Sequence, residues 1–228
     1  MHLHPAVMVT LLLATASVWG APPERVRITY DTSYNGLTVA EVVEVLDHDD
    51  RTYSIVSEVK GRGILALAPV LKRSSRGRIT PEGLRPDEYR DQRGDSWAVT
   101  AKFDWNARSI VQEKNGNVET LAMPGTAQDP LSLAYSFAFV PPVGKTFEVT
   151  RAEGRGVSQF RFVVVGPEKL TTPAGEMQTL RISKERDGPD DKAMDIWFAS
   201  ERDYLPVRIL IVDKDGTRAD QVVTRIGK

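Results

Sequence analysis

Residues able to do chemistry are few in this chain and fall in four places. His48 stands in an acidic turn, Asp47-His48-Asp49-Asp50, and a second acidic turn reads Asp187-Gly188-Pro189-Asp190-Asp191. A cationic run, Lys72-Arg73-Ser74-Ser75-Arg76-Gly77-Arg78, follows directly on the apolar stretch ILALAPVL. Large aromatic side chains form the fourth group: Trp97, Trp105, Trp197, Tyr135, Phe137 and Phe139.

These residues do not assemble into a recognisable catalytic or metal-binding pattern. A zinc site needs clustered histidines, thiolates and carboxylates, yet the chain has no cysteine, and beyond His2 and His4 its only histidine is His48. There is no H-E-x-x-H helix and no G-x-S-x-G elbow, so a Ser-His-Asp arrangement would hang on one histidine. The acidic turns offer oxygen ligands for calcium but lack the spacing of an EF-hand loop. Aspartates in hairpin turns ordinarily bond their own backbone, and no pair of carboxylates is singled out for glycoside hydrolysis. We expect a protein that is not an enzyme, with no catalytic residues, no metal and no cofactor.

Binding is the chemistry the remaining groups suit. An apolar stretch beside Lys72, Arg73, Arg76 and Arg78 fits a ligand with an acyl chain and an anionic head, such as a phospholipid or a lipid A fragment. The alternative is a strand whose charges face water. A formal net charge of −1 gives no field to gather nucleic acid.

The first twenty residues carry no Lys, Arg, Asp or Glu, and their apolar stretch, Ala6 to Val18, is too short to span a bilayer. This is the pattern of a signal peptide over 1–20, cut after Gly20. The expected product is 21–228, with no cysteine to carry a lipid anchor, and hence a periplasmic protein. No later segment has transmembrane length.

The elements that must position these residues are strands. Val26, Ile28 and Tyr30 alternate with polar neighbours, as do Trp97, Val99, Ala101, Phe103 and Trp105. Asn35-Gly36, Asn115-Gly116 and Asp215-Gly216 mark tight hairpins, and Thr172-Pro173-Ala174-Gly175 marks another turn. Met194, Ile196 and Phe198 share one face, and Leu205, Val207, Ile209 and Ile211 another. Ten or more strands with short turns predict an all-β domain: an antiparallel curved sheet or half-open β-barrel. We read 21–228 as one domain, which could divide into two β-halves meeting near 124–145.

One segment breaks the pattern. In QDPLSLAYSFAFVPP, over residues 128–142, Asp129 is a good N-cap, Pro130 suits the first helical turn, and Pro141-Pro142 stop the helix. The spacing predicts a helix over 130–139, with Leu131, Ala134, Tyr135 and Ala138 on one stripe and Leu133, Phe137 and Val140 on a second. A helix apolar nearly all round has to be buried, here against the concave face of the sheet. The alternative is a buried strand pair, since short apolar runs do not separate the two by period.

Three segments carry a resemblance. They are Asp129-Pro130-Leu131-Ser132-Leu133-Ala134-Tyr135, the hairpin Thr172-Pro173-Ala174-Gly175-Glu176-Met177-Gln178-Thr179, and Asp195-Ile196-Trp197-Phe198-Ala199 with Tyr204-Leu205-Pro206-Val207-Arg208. Their order and spacing resemble a family of exported Gram-negative proteins, the domain of unknown function DUF3108, over most of the chain. The resemblance implies an all-β curved sheet sent to the envelope and brings no catalytic residues. The expected function is a non-catalytic binding module for a hydrophobic or amphipathic, lipid-like ligand under the helix. Tyr135, Phe137, Phe139, Trp105 and Trp197 would line the site, with Arg73 and Arg76 at the head group. The alternative is an envelope structural or interaction protein with a filled core and strand edges that pair with a partner.

Overall fold

The computed structural model describes residues 21–94, 97–142, 144–154 and 156–227; the expected signal segment 1–20 and the side chain of Trp97 lie outside the described residues. The chain first lays down a meander of eight strands: β1 (Arg25–Tyr34), β2 (Leu37–His48), β3 (Thr52–Gly61), β4 (Leu71–Thr80), β5 (Gly83–Arg93), β6 (Trp97–Asp104), β7 (Ser109–Lys114) and β8 (Asn117–Ala122). A crossing segment holds β9 (Ala127–Gln128), the helix α1 (Pro130–Tyr135) and a single 3-10 turn, Ser136–Ala138. A second meander follows: β10 (Thr146–Ala152), β11 (Val157–Thr172), β12 (Gly175–Lys184), β13 (Ala193–Ala199), β14 (Leu205–Val212) and β15 (Arg218–Gly227).

All of these strands belong to one sheet, in the order β8-β7-β6-β5-β4-β3-β2-β1-β15-β14-β13-β12-β11-β10-β9. Every neighbouring pair is antiparallel except the two-residue contact of β9 with β10. The Asn-Gly turns behave as their composition demands, with positive φ at Asn35 and Gly36 and again at Asn115 and Gly116. The last strands depart from simple alternation. Trp197 pairs with Arg208 and Phe198 with Pro206, leaving Val207 as the extra residue of a bulge. Leu205 therefore does not share a face with Ile209 and Ile211.

Curvature follows from what the helix touches. Helix α1 contacts both β5 and β14, which stand six places apart in the sheet. At about 4.8 Å per strand a flat sheet would separate them by roughly 29 Å, far beyond a helix about 10 Å wide. The sheet therefore wraps around the helix. Its two ends are clamped by side chains instead of a ladder: Gln112 of β7 exchanges hydrogen bonds of 3.0 and 2.8 Å with the backbone of Gly156. Beside this clamp a Cβ on Gly154 would lie 1.7 Å from Val99 Cγ1, so only glycine permits that approach. The result is a curved, barrel-like sheet with one short helix inside it.

The helix forms where the sequence places its cap. Asp129 Oδ1 accepts the backbone N–H of Leu131 and of Ser132 at 2.8 and 2.9 Å, and Ser132 Oγ accepts the N–H of Asp129 at 2.9 Å. This is a reciprocal capping box with serine in the usual glutamate position. The two apolar stripes meet two groups of core residues. Leu131, Ala134, Tyr135 and Ala138 pack with Tyr30, Leu46, Ile55 and Tyr89, while Leu133 and Phe137 pack with Val149, Phe162, Ile196 and Phe198. Burial of each large side chain contributes about 1.5–3 kcal/mol.

Asp129 is fully buried, and its second oxygen accepts the Ser75 hydroxyl of β4 at 2.6 Å. Burial pushes its carboxyl up from 3.8 to about 6, against the opposing pull of those hydrogen bonds. A raised folded value means that the folded state holds the proton more tightly than the unfolded chain. The resulting stability is fully present below 3.8 and is lost as pH rises through about 6, a change of about 3 kcal/mol between the limits. Asparagine keeps the capping oxygen without the titration. Chemical unfolding across this window should show the wild type losing stability relative to Asp129→Asn as pH rises, and parallel pH profiles would contradict the assignment.

Candidate functional site

The concave face carries a polar row that its apolar surroundings make conspicuous. Glu44 of β2 pairs across the ladder with Ser57 of β3, Ser57 with Arg73 of β4, and Arg73 with Asp91 of β5, so the four side chains share one face. Ser57 Oγ donates to Glu44 Oε1 at 3.1 Å, and the Tyr135 hydroxyl, from the helix, donates to Glu44 Oε2 at 2.9 Å. Burial pushes the Glu44 carboxyl up, while the Tyr135 and Ser57 hydrogen bonds and then the Arg73 charge pull it down. Arg73 Nε lies 3.6 Å from Asp91 Oδ2. The Tyr30 hydroxyl donates to the Pro206 carbonyl at 2.9 Å beside this row. Tyr30, Tyr89, Tyr135, Phe162 and Phe198 are all fully buried, so the space directly under the helix is filled.

Open space lies beside the helix. A cleft of about 260 Å³ runs between the turn that follows α1 and strand β10. Leu133, Phe137, Phe147 and Val149 supply apolar walls and Pro141-Pro142 one flank. The Phe137 ring meets Phe147 edge-on at 5.4 Å and Phe198 at 4.8 Å, which fixes its position between helix and sheet. Gln128 and Ser136 also line the cleft, and each has a buried side-chain oxygen without a hydrogen-bond partner, Gln128 Oε1 and Ser136 Oγ.

The structure does not gather the seven candidate residues into one site. Phe137 lines the cleft, whereas Tyr135 is spent on Glu44 and sealed in the core. Phe139 is half-buried against the edge of His48 at 5.0 Å. Trp105 lies near the end of β6, its indole N–H donating to the Pro86 carbonyl at 2.7 Å and its ring under the Arg85 guanidinium. Trp197 sits on the other side of the sheet from Ile196 and Phe198, flanked by Arg181 and Arg208, with its indole N–H on Glu168 at 3.2 Å.

Arg73 and Arg76 face opposite sides of β4, and neither is free. Arg76 pairs with Glu88 at 3.1 Å, Arg78 with Asp87 at 3.0 Å and Lys72 with Glu58 at 3.3 Å. Antiparallel pairing with β5 sets carboxylates opposite the cationic run, so these charges do not form a head-group site. The apolar stretch before them ends the other way: Ile64 and Leu67 are 94% and 98% exposed around a 3-10 turn, Gly63–Leu65.

His48 is held by main-chain oxygens, with Nε2 at 2.9 Å from the Pro22 carbonyl and Nδ1 at 3.1 Å from that of Asp49. Asp49 accepts the backbone N–H of Arg51 and of Thr52, as a turn aspartate does. Among the described residues no three His, Cys, Asp or Glu side chains converge on a metal-sized site, and no helix is long and apolar enough to cross a membrane.

Glu44, Asp91, Gln128, Ser136 and Phe147 escaped the sequence reading. Glu44 had a signal: it sits in phase with Ala40, Val42 and Leu46, where an inward carboxylate needs a partner. Gln128 and Phe147 had none, because their meeting depends on how the sheet closes.

One solved structure shares this architecture. A β-barrel-like protein of the domain of unknown function DUF1849 from Brucella abortus superposes with a TM-score of 0.58, at 13% identity over 91% of this chain and 99% of that one. A protein of Bacteroides fragilis assigned as exported, with a YmcC-like fold, gives a TM-score of 0.44 at 12% identity, over 92% of this chain and 99% of its own. No curated protein matches the chain. The family model described as Protein of unknown function (DUF3108) matches residues 29–223, nearly the whole of the described sheet, and the chain belongs to that family.

Proposed function

We propose that this protein is a non-catalytic binding module of the periplasm, holding a hydrophobic or amphipathic, lipid-like ligand in the cleft beside α1. The observation that carries the reading is the cleft itself: apolar walls from Leu133, Phe137 and Phe147, with two orphaned buried oxygens. Ligand sites are typically mostly apolar and carry a few fixed polar groups. A volume of about 260 Å³ is slightly below the usual range of about 300–1,000 Å³ and suits one chain end or a small amphiphile. Placement in the periplasm rests on the apolar segment Ala6 to Val18 and the absence of cysteine. The absence of catalysis rests on His48, whose two ring nitrogens face only main-chain carbonyls.

A second reading has its own support. The space under the helix is filled by tyrosine and phenylalanine, and among the described residues β8 pairs only with β7, leaving its other edge open. An envelope interaction protein would use such an edge to add a partner strand.

Two substitutions separate lining from core. Phe137→Trp should block the cleft, whereas Tyr135→Phe should leave it open and cost about 1–3 kcal/mol in urea unfolding by removing a donor from buried Glu44. Native mass spectrometry of protein purified gently from its own envelope, followed by lipid extraction, should show a bound mass in the wild type and in Tyr135→Phe that Phe137→Trp lacks. A bare protein mass, under conditions in which a known lipid carrier keeps its cargo, would favour the interaction protein instead.

A further inference from the structure

We infer that the loop between β3 and β4 is a membrane-contacting tip, which seats Ile64 and Leu67 in the surface of a phospholipid leaflet by apolar partition and not by charge. Among the described residues, two of the large exposed apolar side chains, Val56 and Val165, lie mid-strand. All the others, Tyr34, Leu37, Ile64, Leu65, Leu67 and Val118, lie where β1 turns into β2, β3 into β4 and β7 into β8, at one end of the first meander. Ile64 and Leu67 are 94% and 98% exposed, so they touch almost nothing of their own chain. Leu37 flanks them, because Ala40 pairs with Gly61 and Leu37 lies between Ala40 and the turn.

The loop is suited to leaving water. The N–H groups of Leu65, Ala66 and Ala68 donate to the carbonyls of Arg62, Gly63 and Leu65 at 3.1, 3.1 and 3.0 Å. Much of the tip's main chain is thus satisfied internally, which lowers the cost of contact with lipid. Both shoulders are fixed, with the Arg62 N–H on the Val39 carbonyl at 2.7 Å and the Gly94 N–H on the Val70 carbonyl at 3.2 Å. A Cβ on Gly61 would overlap the Leu65 carbonyl oxygen, so glycine lets the tip fold back on the end of β3. The charges at its base are neutralised within the chain. Arg62 pairs with Asp31 at 2.9 Å and Glu41 at 2.6 Å, while Lys60 and Lys72 share Glu58 at 3.9 and 3.3 Å. A protein partner would have to supply a pocket shaped for two protruding side chains, with little charge left to recognise. A fluid leaflet accepts an apolar tip without either, and the half-exposed Tyr34 suits the head-group level beside it.

This inference does not rest on the cleft beside α1. Glu82 of the cleft follows β4 and the tip precedes it, and β4 has 10 residues, about 33 Å of strand. The test floats protein purified from its own envelope and freed of lipid with vesicles of phosphatidylcholine, and with vesicles of phosphatidylethanolamine and phosphatidylglycerol. The wild type should rise with both, to a similar extent at low and high salt. Ile64→Ser combined with Leu67→Ser should weaken partition roughly tenfold or more. Both side chains are exposed, so the variant's midpoint in urea should not move. Phe137→Trp, which blocks the cleft, should float like the wild type. Absent flotation, flotation unchanged in the double variant, or flotation lost in Phe137→Trp overturns the inference. So does flotation confined to anionic vesicles and abolished by salt, since charge would then be the attraction. Self-association that the double variant abolishes, without flotation, would overturn it by assigning the tip to a second copy of the chain.

Discussion

A carboxylate without access to water joins the helix to the sheet. Asp129 caps α1 with one oxygen and takes the Ser75 hydroxyl of β4 with the other, and Ser75 in turn meets the Tyr53 hydroxyl at 3.0 Å. Unpaired N–H groups at a buried helix start are expensive, and this helix must start inside the sheet because its faces are apolar. The cap therefore does two tasks: it satisfies the first turn and fixes where along β4 that turn lies. Burial opposes the charge on the same carboxyl, so the joint holds most firmly when the carboxyl is protonated.

The polar row on β2 to β5 sets the helix's rotation where the cap sets its depth. Tyr135 reaches Glu44 only when its stripe faces the first meander, and that orientation sends Leu133 and Phe137 toward β10 and β13. Arg73 stands between Ser57 and Asp91 on the ladder, with Glu44 beyond Ser57, so no like pair stands directly opposite. The cleft exists because this rotation leaves the second stripe incompletely covered by β10.

Local features of the fold were legible in the residues: the period of two in most strands, the Asn-Gly turns, and the helix with its cap and two stripes. All are decided within a few residues of chain. Legibility ended where distant residues choose their neighbours. The run from Lys72 to Arg78 reads as a cationic patch until β5 sets Asp87, Glu88 and Asp91 across from it. Trp197 reads as a pocket residue by size, although its phase against Ile196 and Phe198 already assigns it to the other face. The bulge at Val207 resets the alternation of β14, and an extra residue of that kind has no compositional mark. Of the expected lining, Phe137 alone reached the cleft, because it belongs to the helix whose burial was forced.

The central pairing of the sheet joins its first strand to its last: Arg27 stands opposite Gly227 and Tyr34 opposite Ala219. Contacts this far apart in sequence slow folding because loop closure must come before any gain from them. Until β15 docks, β1 presents an open edge of 10 residues. The eight N-terminal strands can zip locally, each onto its predecessor, yet the sheet stays in two sections with an unsatisfied edge on each. Among the described strands continuity comes only with β15, so the two open edges stay exposed to mispairing until that strand docks.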